Sequence, residues 1–228
     1  MRRSEVAKLV ARHGAEAMIE AMTPYLSERR RGRIEEVLAA RLMGLEVAVE
    51  RTYDPHNAAA VVRSAEALGA WAVHVIEASE RLVRTPGVTA GTQDWIEIQS
   101  HRSLEPFLAT VRQRGMLLAG ACVDATHMLE TLPCDRPICL LFGNEHEGLS
   151  AEAQQACDLR FRIPIHGFAE SYNLSVSAAL SLYSLSTRMR AALGRPGDLG
   201  PEQITLERVR WYLQSLDPRH ARVLYPPE

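Results

Sequence analysis

Three polar stretches of the sequence contain the residue types that could do chemistry. "RTYDPHNAAAVVRSAEALG" carries Asn57 and Arg63, "LLFGNEHEGLS" carries Glu145, and "IPIHGFAESYNLSVSAAL" carries Ser171 and Asn173. Together they offer a guanidinium, a carboxylate, several small hydrogen-bonding groups, and glycines that let the backbone approach a ligand closely. The combination suits a site that binds an anionic or polar ligand and handles one proton.

Each of these residues also has a purely structural interpretation. Asn57, Ser171 or Asn173 could cap helices, Arg63 could be an exposed helix arginine, and Glu145 could belong to a turn. Taken singly, the structural interpretation is favoured. Taken as a set, the residues favour a functional site.

The elements around these stretches alternate between strand and helix. Continuous apolar runs and their flanking breakers predict strands at 45–51, 71–77, 95–98, 116–121, 138–142 and 159–165. Helical spacing predicts helices at 4–22, 27–43, 58–69, 103–114, 151–157, 174–193 and 202–216, and a polar loop at 78–94. This order predicts an α/β domain whose mostly parallel sheet carries helices on both faces.

The polar stretches follow predicted strands or precede the helix after them. Open α/β sheets bind ligands at the carboxyl ends of their strands, so one shared site is expected there. We assign an N-terminal helical arm to 1–44, the α/β domain to 45–194, and a C-terminal helical extension to 195–228, after the linker "GRPGDLGP".

Composition and absent motifs exclude several classes of protein. No run approaches the length of a membrane span, and the N-terminus lacks the features of a secretory signal, so we expect a cytoplasmic protein with no membrane partner. The four cysteines have no C-x-x-C spacing and are expected to be reduced thiols. G-x-G-x-x-G and the P-loop are missing, and "HEGLS" has Ser150 where a zinc-binding helix needs its second His, so no metal is expected.

The basic residues are almost all arginines and are concentrated near the N-terminus. Residues 1–44 contain nine Lys/Arg against six Asp/Glu, and Lys8 is the single lysine of the chain. The densest cluster is Arg29, Arg30, Arg31 and Arg33. Arginine forks suit phosphate, which makes this arm a weak indication of nucleic-acid binding against the alternative of a solvated helix face.

The three stretches resemble the motifs of a known family. "N-x(5)-R", "FGNEHEGLS" and "IPIHGFAESYNLSVSAAL" are similar, in order and spacing, to the motifs of the SpoU, or TrmH-like, branch of the SPOUT RNA methyltransferases. The resemblance covers residues 45–193. The upstream segment "RRRGRIEEVLAARLMGLEVAVERTYDPHN" is also similar to the N-terminal region of the branch that methylates guanosine in tRNA.

The resemblance implies a deep trefoil knot in the C-terminal half of the α/β domain and a homodimer with its active site at the subunit interface. It implies S-adenosylmethionine as cofactor, bound by Ala121, Gly143, Ile163 and Tyr172 largely through backbone groups. It implies catalytic or structural roles for Arg63, Asn57, Glu145, Ser171 and Asn173. RNA contacts are expected from Arg29, Arg30, Arg31 and Arg33, and no DNA partner is expected.

The implied reaction is transfer of a methyl group to a ribose 2′-hydroxyl, with guanosine 18 of the tRNA D-loop as the expected target. Ribosomal RNA is the alternative substrate, and a non-catalytic RNA-binding protein on the same scaffold is the second alternative. The chain departs from the family pattern at Asp54, Glu170 and Tyr172, where relatives usually carry Lys, Gln and Leu. We expect Glu170 to alter the RNA preference, and Asp54 either to weaken a phosphate contact or to indicate a different RNA. Tyr172 leaves its backbone available to the cofactor, so cofactor binding should survive.

Overall fold

The computed structural model describes residues 1, 3–77 and 91–225, so most of the polar loop predicted at 78–94 lies outside the described residues. The described helices are α1 (Arg3–His13), α2 (Ala15–Met22), α3 (Glu28–Ala39), α4 (Pro55–Ala67), α5 (Leu104–Gln113), α6 (Ala151–Ala156), α7 (Leu174–Leu193), α8 (Pro201–Ser215) and α9 (Pro218–Leu224). The described strands are β1 (Leu42–Glu50), β2 (Ala70–Ile76), β3 (Glu97–His101), β4 (Leu117–Ala121), β5 (His127–Met128), β6 (Ile138–Phe142) and β7 (Leu159–Arg162). None of these helices is long and apolar enough to cross a bilayer.

Residues 42–196 form an α/β unit built on one seven-stranded sheet. The strand order is β3-β2-β1-β6-β4-β7-β5, and each pairing between the described strands is parallel. Because all these strands run the same way, their carboxyl ends share one edge of the sheet. The polar stretches therefore meet at that edge, as the sequence predicts.

Alternate residues of the central strands bury opposite faces of the sheet. Val47 and Val49 of β1 belong to the core cluster that includes residues of α4 and α7, whereas Ala48 belongs to the cluster that includes residues of α5 and α6. A parallel sheet covered by helices on both faces needs apolar residues at nearly every strand position. This requirement explains the uninterrupted apolar run of β6 and the mostly apolar sequence of β1, in which Glu46 and Glu50 are the buried exceptions.

Residues 1–41 and 197–228 form a second, helical unit. The two segments, predicted as separate N-terminal and C-terminal extensions, contact each other, because α1, α2 and α3 all contact α8. Trp211 of α8 is buried there, with the Arg41 guanidinium 5.2 Å from the centre of its ring. Glu207 is also buried and accepts hydrogen bonds from Arg3 and Arg210.

Several predicted boundaries are wrong. The helix predicted at 27–43 ends at Ala39 and β1 begins at Leu42, because Leu42 pairs with Ala70 of the neighbouring strand and an irregular register follows. The helix predicted at 4–22 is broken at Gly14, whose φ of 78° is left-handed. The strand predicted at 159–165 stops at Arg162, two residues before a proline that lacks the N–H needed for pairing. The short β5 and α9 were not predicted.

Candidate active site

A cavity of about 830 Å³ lies at the carboxyl ends of β4, β6 and β7. All four residues expected to bind the cofactor line it: Ala121, Gly143, Ile163 and Tyr172. Three of the five expected catalytic residues line it as well, namely Glu145, Ser171 and Asn173. Three segments that are far apart in sequence, and that follow β4, β6 and β7, therefore line the same cavity.

A chain of hydrogen bonds joins the first polar stretch to the other two. Asn57 Nδ2 donates to Glu145 Oε1 at 2.8 Å, and Asn57 Oδ1 accepts from Asn173 Nδ2 at 3.0 Å. Thr52 Oγ1 donates to the same Glu145 oxygen at 3.2 Å. The carboxylate can only accept, so it fixes which way the Asn57 amide points, and Asn57 in turn orients Asn173.

Glu145 is held in its ionised form by these donors. Burial raises the pKa of the Glu145 carboxyl, but hydrogen bonds from Asn57 and Thr52 and from backbone N–H groups outweigh it, so the pKa lies below its ordinary value. Its second oxygen, Oε2, is buried and has no hydrogen-bond partner among the described residues. A buried acceptor of this kind is suited to a donor brought by a ligand.

Asn173 also caps the helix that follows it. Its Oδ1 accepts from the Ser175 N–H at 2.8 Å, the Ser175 hydroxyl at 2.7 Å and the Val176 N–H at 3.4 Å, so the structural interpretation of this residue is confirmed. The capping interpretation of Asn57 is wrong, because α4 begins at Pro55 and the side chain of Asp54 is its cap, accepting from the His56 N–H at 2.8 Å. Asp54, noted as a departure from the family pattern, thus has a local structural role.

The loop after β6 depends on glycine for a reason that the sequence did not reveal. A Cβ on Gly143 would come within 1.9 Å of the Gly148 carbonyl carbon, so the close approach is to the loop's own backbone. The buried carboxylate of Glu50 accepts from the Ser150 N–H at 2.9 Å and from its hydroxyl at 2.7 Å, which fastens the end of this loop to β1.

The loop after β7 is closed by a side chain instead. The Tyr172 hydroxyl donates to the Pro164 carbonyl oxygen at 3.2 Å, across the segment that lines the cavity. Gly167 lies in that segment with no atom within 4 Å of a Cβ built on it and with no left-handed φ. Neither turn geometry nor close packing in this chain therefore requires glycine at 167.

Arg63 is not brought to the cavity of its own chain. It lies exposed on α4 and is not among the cavity-lining residues, although Asn57 on the same helix reaches Glu145. The two positions are six residues apart, which places them about 120° apart around a helix and about 9 Å apart along it. They therefore serve different surfaces.

The arginines expected to contact RNA lie on α3 of the helical unit. Arg29, Arg30 and Arg33 are exposed, and Arg33 forms an exposed ion pair with Glu36 at 3.1 Å. Arg31 is half-buried, with its Nε shielded from solvent. The exposed members of this cluster are the ones available to a phosphate.

Two positioning residues at the site, Thr52 and Glu50, were missed by sequence reasoning. Both are buried polar side chains at or just after the carboxyl end of β1, with exposed fractions of 2% and 1%. The sequence signal that could have identified them is a polar residue at the end of an apolar strand, directly before a candidate motif.

A group of potential metal ligands lies inside the sheet, away from the cavity. Donor atoms of Glu46, His74 and Cys139 lie within 4.8 Å of one another. The Glu46 carboxylate, however, is bonded through one oxygen to Arg114 and through the other to His74 Nε2 at 2.8 Å. We interpret this group as a buried ion-pair cluster.

The fold and the cavity define an α/β protein with a ligand site at the carboxyl edge of a parallel sheet. Residues 44–183 match the family described as "SpoU rRNA Methylase family". This match covers more than half of the chain, and the chain therefore belongs to that family.

Individual relatives and structures agree with the family match. The chain is 33% identical to the tRNA (guanosine(18)-2′-O)-methyltransferase of Borreliella burgdorferi over 75% of this chain and 79% of the relative. It is 31% identical to the 23S rRNA (guanosine-2′-O-)-methyltransferase RlmB of Nitrosomonas europaea, over 68% of this chain and 61% of the relative.

Two solved structures extend the likeness to the fold. The A. aeolicus TrmH/SpoU tRNA modifying enzyme is similar with a TM-score of 0.74 and 27% identity, covering 83% of this chain and 98% of that one. The SpoU methyltransferase AviRb from Streptomyces viridochromogenes, in complex with the cofactor AdoMet, is similar with a TM-score of 0.61 and 26% identity. That match covers 68% of this chain and 64% of AviRb.

Proposed function

We propose that this chain is an S-adenosylmethionine-dependent RNA ribose 2′-O-methyltransferase that methylates guanosine 18 of tRNA. The observation that carries the proposal is the hydrogen-bond chain from Glu145 through Asn57 to Asn173 beside one cavity. The relatives named for that tRNA reaction support the substrate, and the AdoMet complex of AviRb supports the cofactor.

The cavity suits the proposed cofactor in size and charge. Its volume of about 830 Å³ lies in the range of small-molecule sites. Glu145, Glu147 and Glu170 line it, and carboxylates attract a sulfonium cation. The unpartnered Oε2 of Glu145 can accept a hydrogen bond from an ammonium or hydroxyl group of a ligand.

S-adenosylmethionine supplies a methyl group on a sulfonium, which is already a good electrophile. The protein must therefore align the ribose oxygen and handle one proton. Asn57 and Glu145 fix the amide of Asn173 at the cavity wall, and Ser171 adds a hydroxyl beside it. Arg63 binds the neighbouring phosphate and the hydroxyl and lowers the pKa of that hydroxyl electrostatically, because a guanidinium stays protonated and is a poor base. As the bond between the ribose oxygen and the methyl carbon forms and the bond from that carbon to sulfur breaks, the hydroxyl proton would pass to solvent and S-adenosylhomocysteine would leave.

A homodimer would bring Arg63 to a cavity. The helix α7 exposes Val176, Leu180 and Tyr183, spaced by four and three residues and therefore on one face. We propose that this apolar face packs against a second copy and that Arg63 of one protomer completes the cavity of its partner. Arg63 is exposed and outside its own cavity, as this arrangement requires.

The remaining family features are part of the same proposal. We propose that the segments around the cavity form the trefoil knot and that residues 45–194 act as the catalytic domain. The exposed arginines of α3 would contact the tRNA body, and the enzyme would act in the cytoplasm, where tRNA is found.

Incubation of the purified protein with labelled S-adenosylmethionine and separate tRNA and ribosomal RNA pools tests the substrate. We expect label in tRNA, on the ribose of guanosine 18 after mapping. Label confined to ribosomal RNA would favour the alternative suggested by the RlmB relative. Label on a base would contradict the reaction, and RNA binding without any transfer would favour a non-catalytic protein.

Hybrid dimers test the placement of Arg63. Arg63→Ala and Arg63→Lys should each lose nearly all turnover while retaining cofactor affinity. A chain with Arg63→Ala and a chain with Ala121→Trp, which fills the cavity, should each be inactive alone. Co-expressed with different tags and purified as a hybrid, they should regain about half of the activity, because one cavity and one Arg63 then meet. An inactive hybrid would show that Arg63 serves its own chain.

A further inference from the structure

One aromatic side chain beside the cavity is left wholly in solvent. Phe168 lies in the loop between β7 and α7, and its side chain is fully exposed to solvent. Its neighbours Gly167 and Ala169 both line the cavity. A phenyl ring in water gains nothing for folding, so its position beside the cavity points to a contact made outside this chain.

A second exposed ring belongs to Tyr53, which follows β1 and whose backbone approaches a residue that lines the cavity. The Tyr53 side chain has an exposed fraction of 66%, and the Tyr53 backbone N–H lies close enough to Glu145 to lower the pKa of that carboxyl. Glu145 in turn lines the cavity. Two exposed aromatic residues distant in sequence are thus close to residues that line the cavity, where a ribose must enter under the proposed function.

The chemistry of the substrate indicates what such a ring would contact. A ribose in a loop reaches a buried methyl donor only when its nucleotide is drawn out of the RNA stack, and unstacked bases are commonly received on aromatic side chains. Arg162 also lines the cavity and supplies a guanidinium for the phosphate of that nucleotide. A guanidinium that lines the cavity and an exposed aromatic ring next to its lining residues suit the two parts of a splayed nucleotide.

We propose that Phe168 is a stacking platform for an unpaired base of the substrate RNA, either the base of the methylated nucleotide or of an immediate neighbour. The inference rests on the proposed function, because it takes RNA as the substrate. Phe168 acts on the position of the nucleotide and takes no part in methyl transfer, so its effect falls on RNA binding.

The test is a series at one position, assayed with tRNA transcripts. Phe168→Ala should raise the KM for tRNA about tenfold, within the range measured for loss of a stacked base. Phe168→Leu keeps apolar bulk without an aromatic face and should resemble Ala, whereas Phe168→Trp should restore the wild-type KM. The Kd of S-adenosylmethionine and the sedimentation of the dimer should stay unchanged in all three variants.

Transcripts carrying an abasic residue identify the contact. The penalty of Phe168→Ala should disappear when the stacked base is removed at guanosine 18 or at one adjacent position. Tyr25→Ala is the matched control: it removes an exposed aromatic ring outside both the cavity and the proposed dimer face, so its effect on KM should persist with every abasic transcript or be absent.

Several outcomes would overturn the inference. A KM unchanged by Phe168→Ala, or a penalty that survives every abasic substitution, would show that no base stacks there. A weakened dimer would assign the ring to a subunit contact, and a weakened Kd for the cofactor would assign it to the cavity itself. If wild-type protein methylates no RNA, the proposed function fails; if it methylates tRNA and the Phe168 variants behave like wild type, only this inference fails.

Discussion

Two glutamates of the α/β unit, Glu46 and Glu145, have carboxyl pKa values below the usual value for glutamate. Their hydrogen-bond partners differ, and the difference distinguishes a structural carboxylate from one suited to bind a ligand. Glu46, buried in the sheet, has both oxygens bonded, one to Arg114 and one to His74. Glu145, at the sheet edge, has donors on Oε1 and none among the described residues on the buried Oε2. A carboxylate whose bonds are complete serves the fold, whereas one with a free buried oxygen is prepared for a ligand.

Breaking the complete cluster should produce the largest effect. Burial raises the pKa of Glu46, but His74 and Arg114 outweigh it, so the carboxylate is charged when Arg114 pairs with it. Glu46→Ala removes the carboxylate that pairs with both His74 and Arg114. This change should lower the free energy of unfolding by about 3–5 kcal/mol. Urea denaturation followed by circular dichroism measures the loss.

Activity per folded molecule separates this cluster from the site. With Glu46→Ala at a temperature where it remains folded, kcat should be near that of the wild type, because Glu46 does not line the cavity. A variant that is stable yet inactive would mean that the buried cluster takes part in the reaction, and the distinction drawn from the two carboxylates would be wrong.

Putting a second charge beside Glu145 should chiefly affect activity. Asn57→Asp replaces the amide that donates to Glu145 at 2.8 Å with a carboxylate, so that bond is lost and two like charges meet, whereas Asp can still accept from Asn173. We expect kcat to fall about 100-fold, equivalent to about 2.7 kcal/mol in the barrier. Single-turnover methylation measures it.

Thermal unfolding is the control for this variant. The change in melting temperature should be small compared with that of Glu46→Ala, because Glu145 can move toward solvent when repelled. A collapse of stability with Asn57→Asp would assign the polar chain to the fold as well.

The contrast also explains what the sequence can and cannot reveal. The bounds of α7 and β6 coincide with the prediction because periodicity and the flanking polar residues report local structure. Asn57, Glu145 and Asn173 were singled out because polar residues cluster at predicted strand ends. Their hydrogen bonds were not predictable, since they depend on which strand ends are neighbours in the sheet.

The buried cluster was invisible for the same physical reason. Glu46 and His74 each appear as one polar residue within an apolar strand, in "LEVAVE" and "AWAVHVI". Only the sheet order places β1 beside β2, and only the register sets Glu46 beside Cys139 of β6. The position of Arg63 was not predictable for a different reason: in the proposed site it completes the cavity of another copy of the chain.

The cluster should also give the protein a stability that depends on pH in the mildly acidic range. His101 at the end of β3 extends the cluster, because its Nε2 lies 3.0 Å from His74 Nδ1. Burial, followed by the charges of His74 and Arg114, lowers the pKa of His101 to about 4 from the usual 6.5. The unfolded chain then binds more protons than the native one between these values, so stability is complete above pH 6.5 and is lost as pH falls toward 4. Denaturant midpoints measured across this range test the sign.

His101→Gln is the variant that isolates this contribution. Glutamine does not titrate, so the slope of stability against pH between 4 and 6.5 should become shallower than in the wild type. An unchanged slope would assign the acid sensitivity to other groups. The cavity has no part in this prediction, since His101 does not line it.

The smallest expected effect concerns a single hydrogen bond of the incomplete carboxylate. Thr52→Val removes the 3.2 Å bond to Glu145 while preserving the shape of a buried side chain. Asn57 still donates to the same oxygen, so we expect a two- to fivefold fall in kcat and a loss of about 0.5–1.5 kcal/mol in the free energy of unfolding. Thr52→Ser keeps the hydroxyl and should retain more activity than Val. Equal activity of the two variants would show that Asn57 alone orients Glu145 and that Thr52 contributes only packing.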